Sequence, residues 1–440
     1  VGYGGRAVRA EILTIGDELC RGEIVNTNAS WLAAALWDAD IAVRWMTSCG
    51  DDEADMRAAL ATAAGRADLV ITSGGLGPTE DDLTVDVLAA MVGAEVVFDG
   101  PAEAAMTARF GARAPGVPMP ELMRRQVRVP AGAQVHGNPG GLAPCFEVAL
   151  GGTPVIALPG VPREIHGIFA ATLGARVRAL RLAHGTAPAI ARRIYRVFGR
   201  GESQISGMCR GVIDGVPGAT IHYQVKFPET LVKIVVRAAS GAQAEADATL
   251  AGLDRELRAR LGEFCYGAGA ATLPARTAAG LAAAGLTVAV AESCTGGGLG
   301  ALLTDAPGAS RFFRGGAIAY ANDEKVRQLG VAPATLAQHG AVSEEVAREM
   351  ALGARARFDV DRAVAITGVA GPDGGTADKP VGLVWLALAT RGADEVRTHQ
   401  LRWPGERDMI RTLAAWWATR LLADSLPAGL PADARPEERP

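Results

Sequence analysis

The hydroxyl of Ser293, the thiol of Cys294 and the hydroxyl of Thr295 follow a short apolar run and precede three glycines, Gly296-Gly-Gly298. A serine at such a strand-to-turn junction can present its oxygen above a sheet edge while nearby backbone N–H groups point into the same space. That suits a nucleophile with an oxyanion-binding site. The same amides would also hold a phosphate at a helix N-terminus, so the motif alone leaves both chemistries open. Cys294 is chemically the better nucleophile and competes with Ser293 for the role.

Three further blocks carry groups that such a serine would need. Gly315 to Lys325 contains Tyr320 and Lys325, Thr367 to Gly374 opens with a hydroxyl and a glycine turn at Gly368, and Gly405-Glu-Arg407 begins the last helical stretch. A lysine after a strand is ordinarily a solvated surface residue. Lys325 can take the serine proton only if burial or neighbours deliver a neutral amine. Tyr320 would relay or orient that proton, and Arg407 offers a bidentate fork for a phosphate. His339 and His399 read as structural, and no clustered His/Cys set suggests zinc.

A second set lies in the first third of the chain. Gly16-Asp17-Glu18 with Asn26-Thr-Asn28 forms one cluster, and Ser73-Gly74-Gly75-Leu-Gly77-Pro-Thr79 followed by Glu80-Asp81-Asp82 forms another. Both fall at carboxyl ends of expected strands, where open α/β sheets bind ligands. Glycines let amides approach phosphate oxygens, and the hydroxyls of Ser73 and Thr79 add donors. Carboxylates beside a phosphate repel it unless a divalent cation joins them. The cluster hints at a metal-assisted phosphate-ester or pyrophosphate site. The plainer alternative is that Asp81 and Asp82 open a helix and the glycines turn the chain. No lysine follows the glycines, so this is no Walker loop, and no GxGxxG fingerprint is present.

The elements that must position these groups follow from apolar periodicity. Strands are expected at 10–15, 41–46, 69–72 and 154–158, and helices at 28–36, 51–64, 81–91 and from 162 to 169. This rhythm implies a mostly parallel sheet covered on both faces. Strands at 189–198 and 231–237 with a helix at 244–261 suggest a small α+β connector or dimerising unit. Helices at 273–284, 343–358 and 406–422 then surround strands at 286–291, 316–320, 363–367 and 381–389. The expected organisation is an α/β fold with domains at 1–173, 174–262 and 263–424, and a disordered tail at 425–440.

The chain's 440 residues exceed one ordinary core, and 49% hydrophobic against 21% charged residues argues for globular domains. A formal charge of −4, with no basic stripe interleaved with aromatics, argues against nucleic acid as a partner. Six cysteines, all isolated, make no disulfide framework. No apolar run of about 18 residues suggests a membrane span, so a cytoplasmic location is expected.

The runs Gly16 to Asn28, Ser73 to Asp82, Asn138 with Gly141 and Ala143-Pro144, and Leu158 to Pro162 resemble the competence/damage-inducible protein A (CinA) family. The resemblance implies a three-layer α/β N-terminal domain similar to molybdopterin-binding domains. It also implies ADP-ribose pyrophosphatase activity with a divalent metal (Mg, Mn or Co), giving AMP and ribose 5-phosphate. It places Asp17, Glu18, Asp81 and Asp82 at the metal, and Asn26, Ser73, Gly74, Gly75, Gly77, Thr79 and Asn138 at the ligand. The C-terminal blocks are similar to the family's nicotinamide mononucleotide (NMN) deamidase domain, which implies catalysis by Ser293, Tyr320, Lys325 and Thr367 with no metal. Arg407, Gly368 and the 294–297 turn (Cys294, Thr295, Gly296, Gly297) would bind substrate. The family further implies a homodimer. The alternatives are a molybdopterin-like binding protein or a competence- or DNA-damage-associated protein without pyrophosphatase activity.

Overall fold

The computed structural model describes residues 8–117, 119–185, 187–427 and 429–431. By internal contacts the chain forms two compact units, the first running to Ala189 and the second containing nearly everything after it.

In the first unit, strands β1 (Val8–Ile15), β2 (Ile41–Cys49), β3 (Leu69–Ser73), β4 (Val96–Phe98), β5 (Arg128–Pro130), β6 (Gln134–His136), β7 (Cys145–Leu150) and β8 (Thr153–Leu158) alternate with helices. These are α1 (Asp17–Cys20), α2 (Thr27–Asp38), α3 (Glu53–Arg66), α4 (Thr84–Val92), α5 (Gly100–Arg113), α6 (Pro162–Ile168) and α7 (Gly174–Ala183). The main sheet has the order β2-β1-β3-β8-β7-β6. Its first four strands are parallel, and β7 and β6 add antiparallel. Alternation along β1 builds two cores. Leu13 and Ile15 pack with Met56, Leu60 and Leu88 on one face, while Ala10 and Ile12 pack with Leu32, Leu36 and Ile165 on the other. Three layers result. Leu173, Val177 and Leu180 join the second core, so this unit extends through α7 rather than ending at residue 173.

The second unit holds two sheets. Strands β9 (Ala189–Phe198), β10 (Ala219–Lys226), β11 (Glu229–Ala238) and β12 (Cys265–Ala268) form a sheet ordered β10-β11-β9-β12, beside α8 (Glu202–Cys209) and α9 (Gln243–Leu261). The strand at Cys265 therefore closes the middle domain's sheet, antiparallel to β9, instead of opening the third domain. The other sheet is β14 (Phe313–Ile318), β13 (Val288–Glu292), β15 (Arg362–Gly368), β16 (Leu383–Thr390) and β17 (Arg397–Arg402), in that order. Here β13 lies parallel to both neighbours, and β16 and β17 are antiparallel.

Around that sheet lie α10 (Leu273–Ala284), α11 (Gly298–Thr304), α12 (Asn322–Leu329), α13 (Pro333–His339), α14 (Glu344–Phe358) and α15 (Arg407–Ala423). Val288 and Val290 of β13 face a core with α10, α11 and α15 residues, and Ala289 and Ala291 face the opposite core under α14. The described part of the tail is packed. Leu426 is buried in the first of these cores and Arg276 donates to the Pro431 carbonyl, against the expectation of disorder from residue 425; residues 432–440 lie outside the described residues.

Candidate active site

The strand β13 is buried along its length and delivers Glu292 and Ser293 to the carboxyl edge of the sheet. Ser293 is 8% exposed, and its N–H donates to the Ile366 carbonyl of β15 at 3.0 Å, which fixes its backbone to the sheet. Glu292 is fully buried and turned under the following loop. Its carboxylate accepts the N–H groups of Gly297 at 3.0 Å, Leu299 at 3.1 Å and Gly300 at 2.8 Å. An acidic side chain thus satisfies the amides that open α11 and neutralises their partial positive charge.

That arrangement corrects the expected oxyanion site. The Gly297 amide is taken by Glu292, and the Gly296 amide donates to the Ser293 carbonyl at 3.0 Å. Of the 294–297 turn, the Cys294 and Thr295 amides donate to no other residue among the described residues. Both lie directly after Ser293, where donors to an oxyanion would be useful. Gly296 and Gly297 take positive φ, 60° and 100°, so their part is to shape the turn.

Lys325 comes from α12 and is 1% exposed. Its Nζ lies 3.3 Å from Ser293 Oγ, 3.1 Å from the Ala319 carbonyl and 3.1 Å from the Tyr320 carbonyl. Burial drives its pKa down, because the low-polarity surroundings penalise the ammonium. A neutral amine fits these three neighbours well. Its two N–H groups would go to the carbonyls and its lone pair would face the serine hydroxyl. The rival nucleophile is disfavoured. Burial, reinforced by the Glu292 charge, pushes the Cys294 thiol up to about 12, far from thiolate at neutral pH.

Two expected catalytic groups sit differently. Tyr320 is 58% exposed, and its phenol contacts Arg407 Nη2 at 3.2 Å; only its backbone carbonyl meets Lys325, so it is not placed as a proton relay. Thr367 is buried and donates its hydroxyl to the Ala341 carbonyl at 2.7 Å, anchoring the turn before α14. It is not a free donor. Gly368 is packed against Leu383 and Val384 of β16, where a side chain would collide. Arg407, at the first turn of α15, also donates to the Gly371 carbonyl at 2.6 Å. One turn on, Arg411 donates to the Thr295 carbonyl at 2.9 Å, holding the loop after Ser293. Its spacing of four from Arg407 on a helix was the available signal for it.

The first unit has its own cleft of about 1000 Å³ at the carboxyl ends of β1 and β3. Glu18, Asp51, Gly74, Gly75, Gly77, Asp81, Asp82 and Arg109 are among its lining residues. Gly74 and Gly75 take φ of +114° and +66°, and a side chain on either would strike Ile15 or Thr84. Other expected ligand groups serve the scaffold. Asn26 caps α2 by accepting from Ala29 N–H at 3.0 Å, whereas Asn28, two residues on, bonds Ser73 Oγ and the Gly160 carbonyl. Ser73 donates to the Pro159 carbonyl at 3.2 Å, Thr79 bonds Asp82, and Asn138 braces its own loop through Ala143, Gly140 and Glu164.

The acidic set is only partly free. Asp17 pairs with Arg21 at 2.5 Å, and Asp82 accepts the Thr79 N–H at 2.9 Å. Asp51, not among the residues expected at the metal, has its pKa raised by burial and by the charges of Asp17, Glu18 and Asp81, so four carboxylates share one field. Their oxygens suit a hard divalent cation. Among the described residues, no three His, Cys, Asp or Glu side chains form a group that could hold a metal ion.

Fold and site together define an α/β protein of three domains, with a ligand-sized cleft in the first and a buried serine–lysine pair in the last. Three family models match in that order: "Probable molybdopterin binding domain" over residues 11–179, "Damage-inducible protein CinA KH domain" over 192–267 and "CinA C-terminal domain" over 270–426. A CinA-like protein of Anaeromyxobacter sp. (strain Fw109-5) is 43% identical over 417 residues, covering 94% of this chain and 98% of the relative. A putative competence-damage inducible protein of Symbiobacterium thermophilum is 42% identical over 419 residues, covering 92% and 96%. The chain belongs to the CinA family of competence/damage-inducible proteins. A solved structure of competence/damage inducible protein CihA from Agrobacterium tumefaciens is 42% identical and covers 34% of this chain and 91% of that one, with a TM-score of 0.34.

Proposed function

We propose that the second unit is a serine–lysine amidohydrolase whose substrate is NMN. The observation that carries this reading is the 3.3 Å approach of a buried Lys325 Nζ to Ser293 Oγ, with two carbonyls ready to take the amine's remaining protons. Lys325, as the neutral amine, accepts the hydroxyl proton while Ser293 Oγ attacks the carboxamide carbon. The Cys294 and Thr295 amides stabilise the oxyanion. The carbon–nitrogen bond then breaks, and the ammonium form of Lys325 returns its proton to the leaving ammonia. Water attacks the resulting ester, with Lys325 again as base, and releases nicotinic acid mononucleotide and the free serine. Arg407, exposed beside the Tyr320 phenol, binds the substrate's phosphate. The reaction requires ammonia release from NMN by wild-type protein and its loss in Ser293→Ala; near-normal release by that variant overturns it.

For the first unit we infer binding of a phosphorylated ligand in the cleft over Gly74, Gly75 and Gly77. The commitments of Asp17, Ser73, Thr79 and Asp82 to protein partners favour a binding role, similar to molybdopterin-binding domains. ADP-ribose hydrolysis with a divalent cation is the activity that the family resemblance suggests for it. Assaying AMP formation from ADP-ribose with manganese or cobalt decides between them: AMP above a blank establishes hydrolysis, and ligand binding without AMP establishes the binding role. Association as a homodimer belongs to the same proposal and is read by light scattering.

A further inference from the structure

The second unit contains a cavity of about 330 Å³ that shares no lining residue with the serine–lysine pair. Its walls carry Phe198, Phe264, His399 and Trp417, with Arg397 and Glu263 among its polar residues. His399 and Trp417 are stacked, with ring centroids 4.5 Å apart and planes at 21°, and Phe198 lies 5.0 Å from the same indole. The chain passes closely over this wall at Gly199, whose φ is +90° and where an added Cβ would come within 3.2 Å of Trp417. Burial lowers the pKa of His399, so it presents a neutral, flat imidazole rather than a charge.

The polar groups are unequal in what they have left to give. Arg420 is spent, paired with Asp424 at 2.8 Å and donating to the Glu263 carbonyl at 2.8 Å. Arg397 is exposed, reaches only the Asp424 carbonyl at 3.4 Å, and forms no ion pair among the described residues. Its fork retains donors for an anion. Glu263 is likewise without an ion pair among the described residues and offers a carboxylate to hydroxyl or amine donors. An aromatic wall of rings already packed on one another, a cation with free donors and a carboxylate acceptor together match a base, a phosphate and a ribose. The volume stands at the low end of the range of about 300–1,000 Å³ found for ligand pockets, which admits one nucleotide and not a dinucleotide.

We propose that this cavity is a second ligand site, for a nucleoside monophosphate, separate from the serine–lysine centre. The base stacks on the Trp417–His399 wall, the phosphate meets Arg397, and the ribose hydroxyls donate to Glu263. Trp417 stands ten residues after Arg407 on α15, about 15 Å along the helix axis, so one molecule cannot fill both places. The assignment does not depend on the amidohydrolase reading.

Hydrogen–deuterium exchange of the full chain, with AMP and separately UMP in large excess, tests it. Exchange is expected to slow in segments 262–266, 397–400 and 415–424 with at least one of the two. That protection persists in Ser293→Ala, whereas Arg397→Glu weakens binding about tenfold or more by turning attraction into repulsion. Because Arg397 is exposed, Arg397→Glu and the milder Arg397→Gln leave the fold intact. Unchanged exchange in these segments with both nucleotides, or protection in both Arg397 variants as strong as in wild type, overturns the assignment.

Discussion

A buried lysine whose neighbours are two carbonyls and a serine hydroxyl can act as a base in only one protonation state, which makes pH the sharpest probe at the residue scale. Ammonia release from NMN should rise with pH as Lys325 loses its proton, and the limb should lie below the free-lysine value of about 10.4. Lys325→Arg, permanently protonated, should abolish activity. The same shift bears on stability. A folded-state pKa depressed below the unfolded value means the unfolded chain binds more protons, so stability rises with pH and is lost as pH falls through the folded value. Lys325→Met should therefore melt higher than wild type at neutral pH, with the gap closing as pH approaches about 10.4. A melting curve that moves the other way contradicts the buried, depressed amine. At the neighbouring position, a thiol held at about 12 contributes no thiolate, so Cys294→Ala should keep most of its kcat while Ser293→Ala loses about a thousandfold or more. Ser293 and Lys325 were legible as residue types at the ends of elements. That the amine is buried against a hydroxyl 32 positions earlier in the chain was not, since burial depends on the packing of α12.

At the scale of elements, the serine–lysine pair is surrounded by buried side chains committed to backbone partners. Glu292 closes three amides at the start of α11, and Glu292→Ala leaves them without an acceptor in a buried turn. A loss of about 2–4 kcal/mol in the second unit is expected, read as a lowered Tm. Thr367 supplies the contrasting case. Because its hydroxyl is given to the Ala341 carbonyl, Thr367→Val should cost about 1 kcal/mol and change kcat by less than about tenfold. A loss of several orders of magnitude would restore it to the chemistry. The elements themselves were read unevenly. The helix at Leu273–Ala284 and the Ser343-capped helix ending at Phe358 were legible because periodicity and caps agree along several turns. The short helices α1, α11, α12 and α13 were not, since four to eight residues carry too little periodicity to separate from loops. Asp81 and Asp82, read as a helix start, precede it instead: the helix begins at Thr84, and Asp82 closes a turn with Thr79.

At the scale of the molecule, each unit closes its own hydrophobic cores on both faces of its own sheet. Among the described residues, those lining the glycine cleft all belong to the first unit, and the serine–lysine pair belongs to the second. Substitutions with no shared partners act additively. Asp51→Asn removes a carboxylate already strained by the charges of Asp17, Glu18 and Asp81, which reduces the field available to a cation without touching Ser293. Asp51→Asn should therefore weaken manganese binding and any AMP formation from ADP-ribose while leaving NMN turnover within about twofold of wild type. Ser293→Ala should do the reverse, and the double variant should lose both functions by the product of the single losses. The measurement is a matched pair of assays on four proteins, ammonia from NMN without metal and AMP from ADP-ribose with it. Loss of NMN turnover in Asp51→Asn would show that the two sites are energetically coupled.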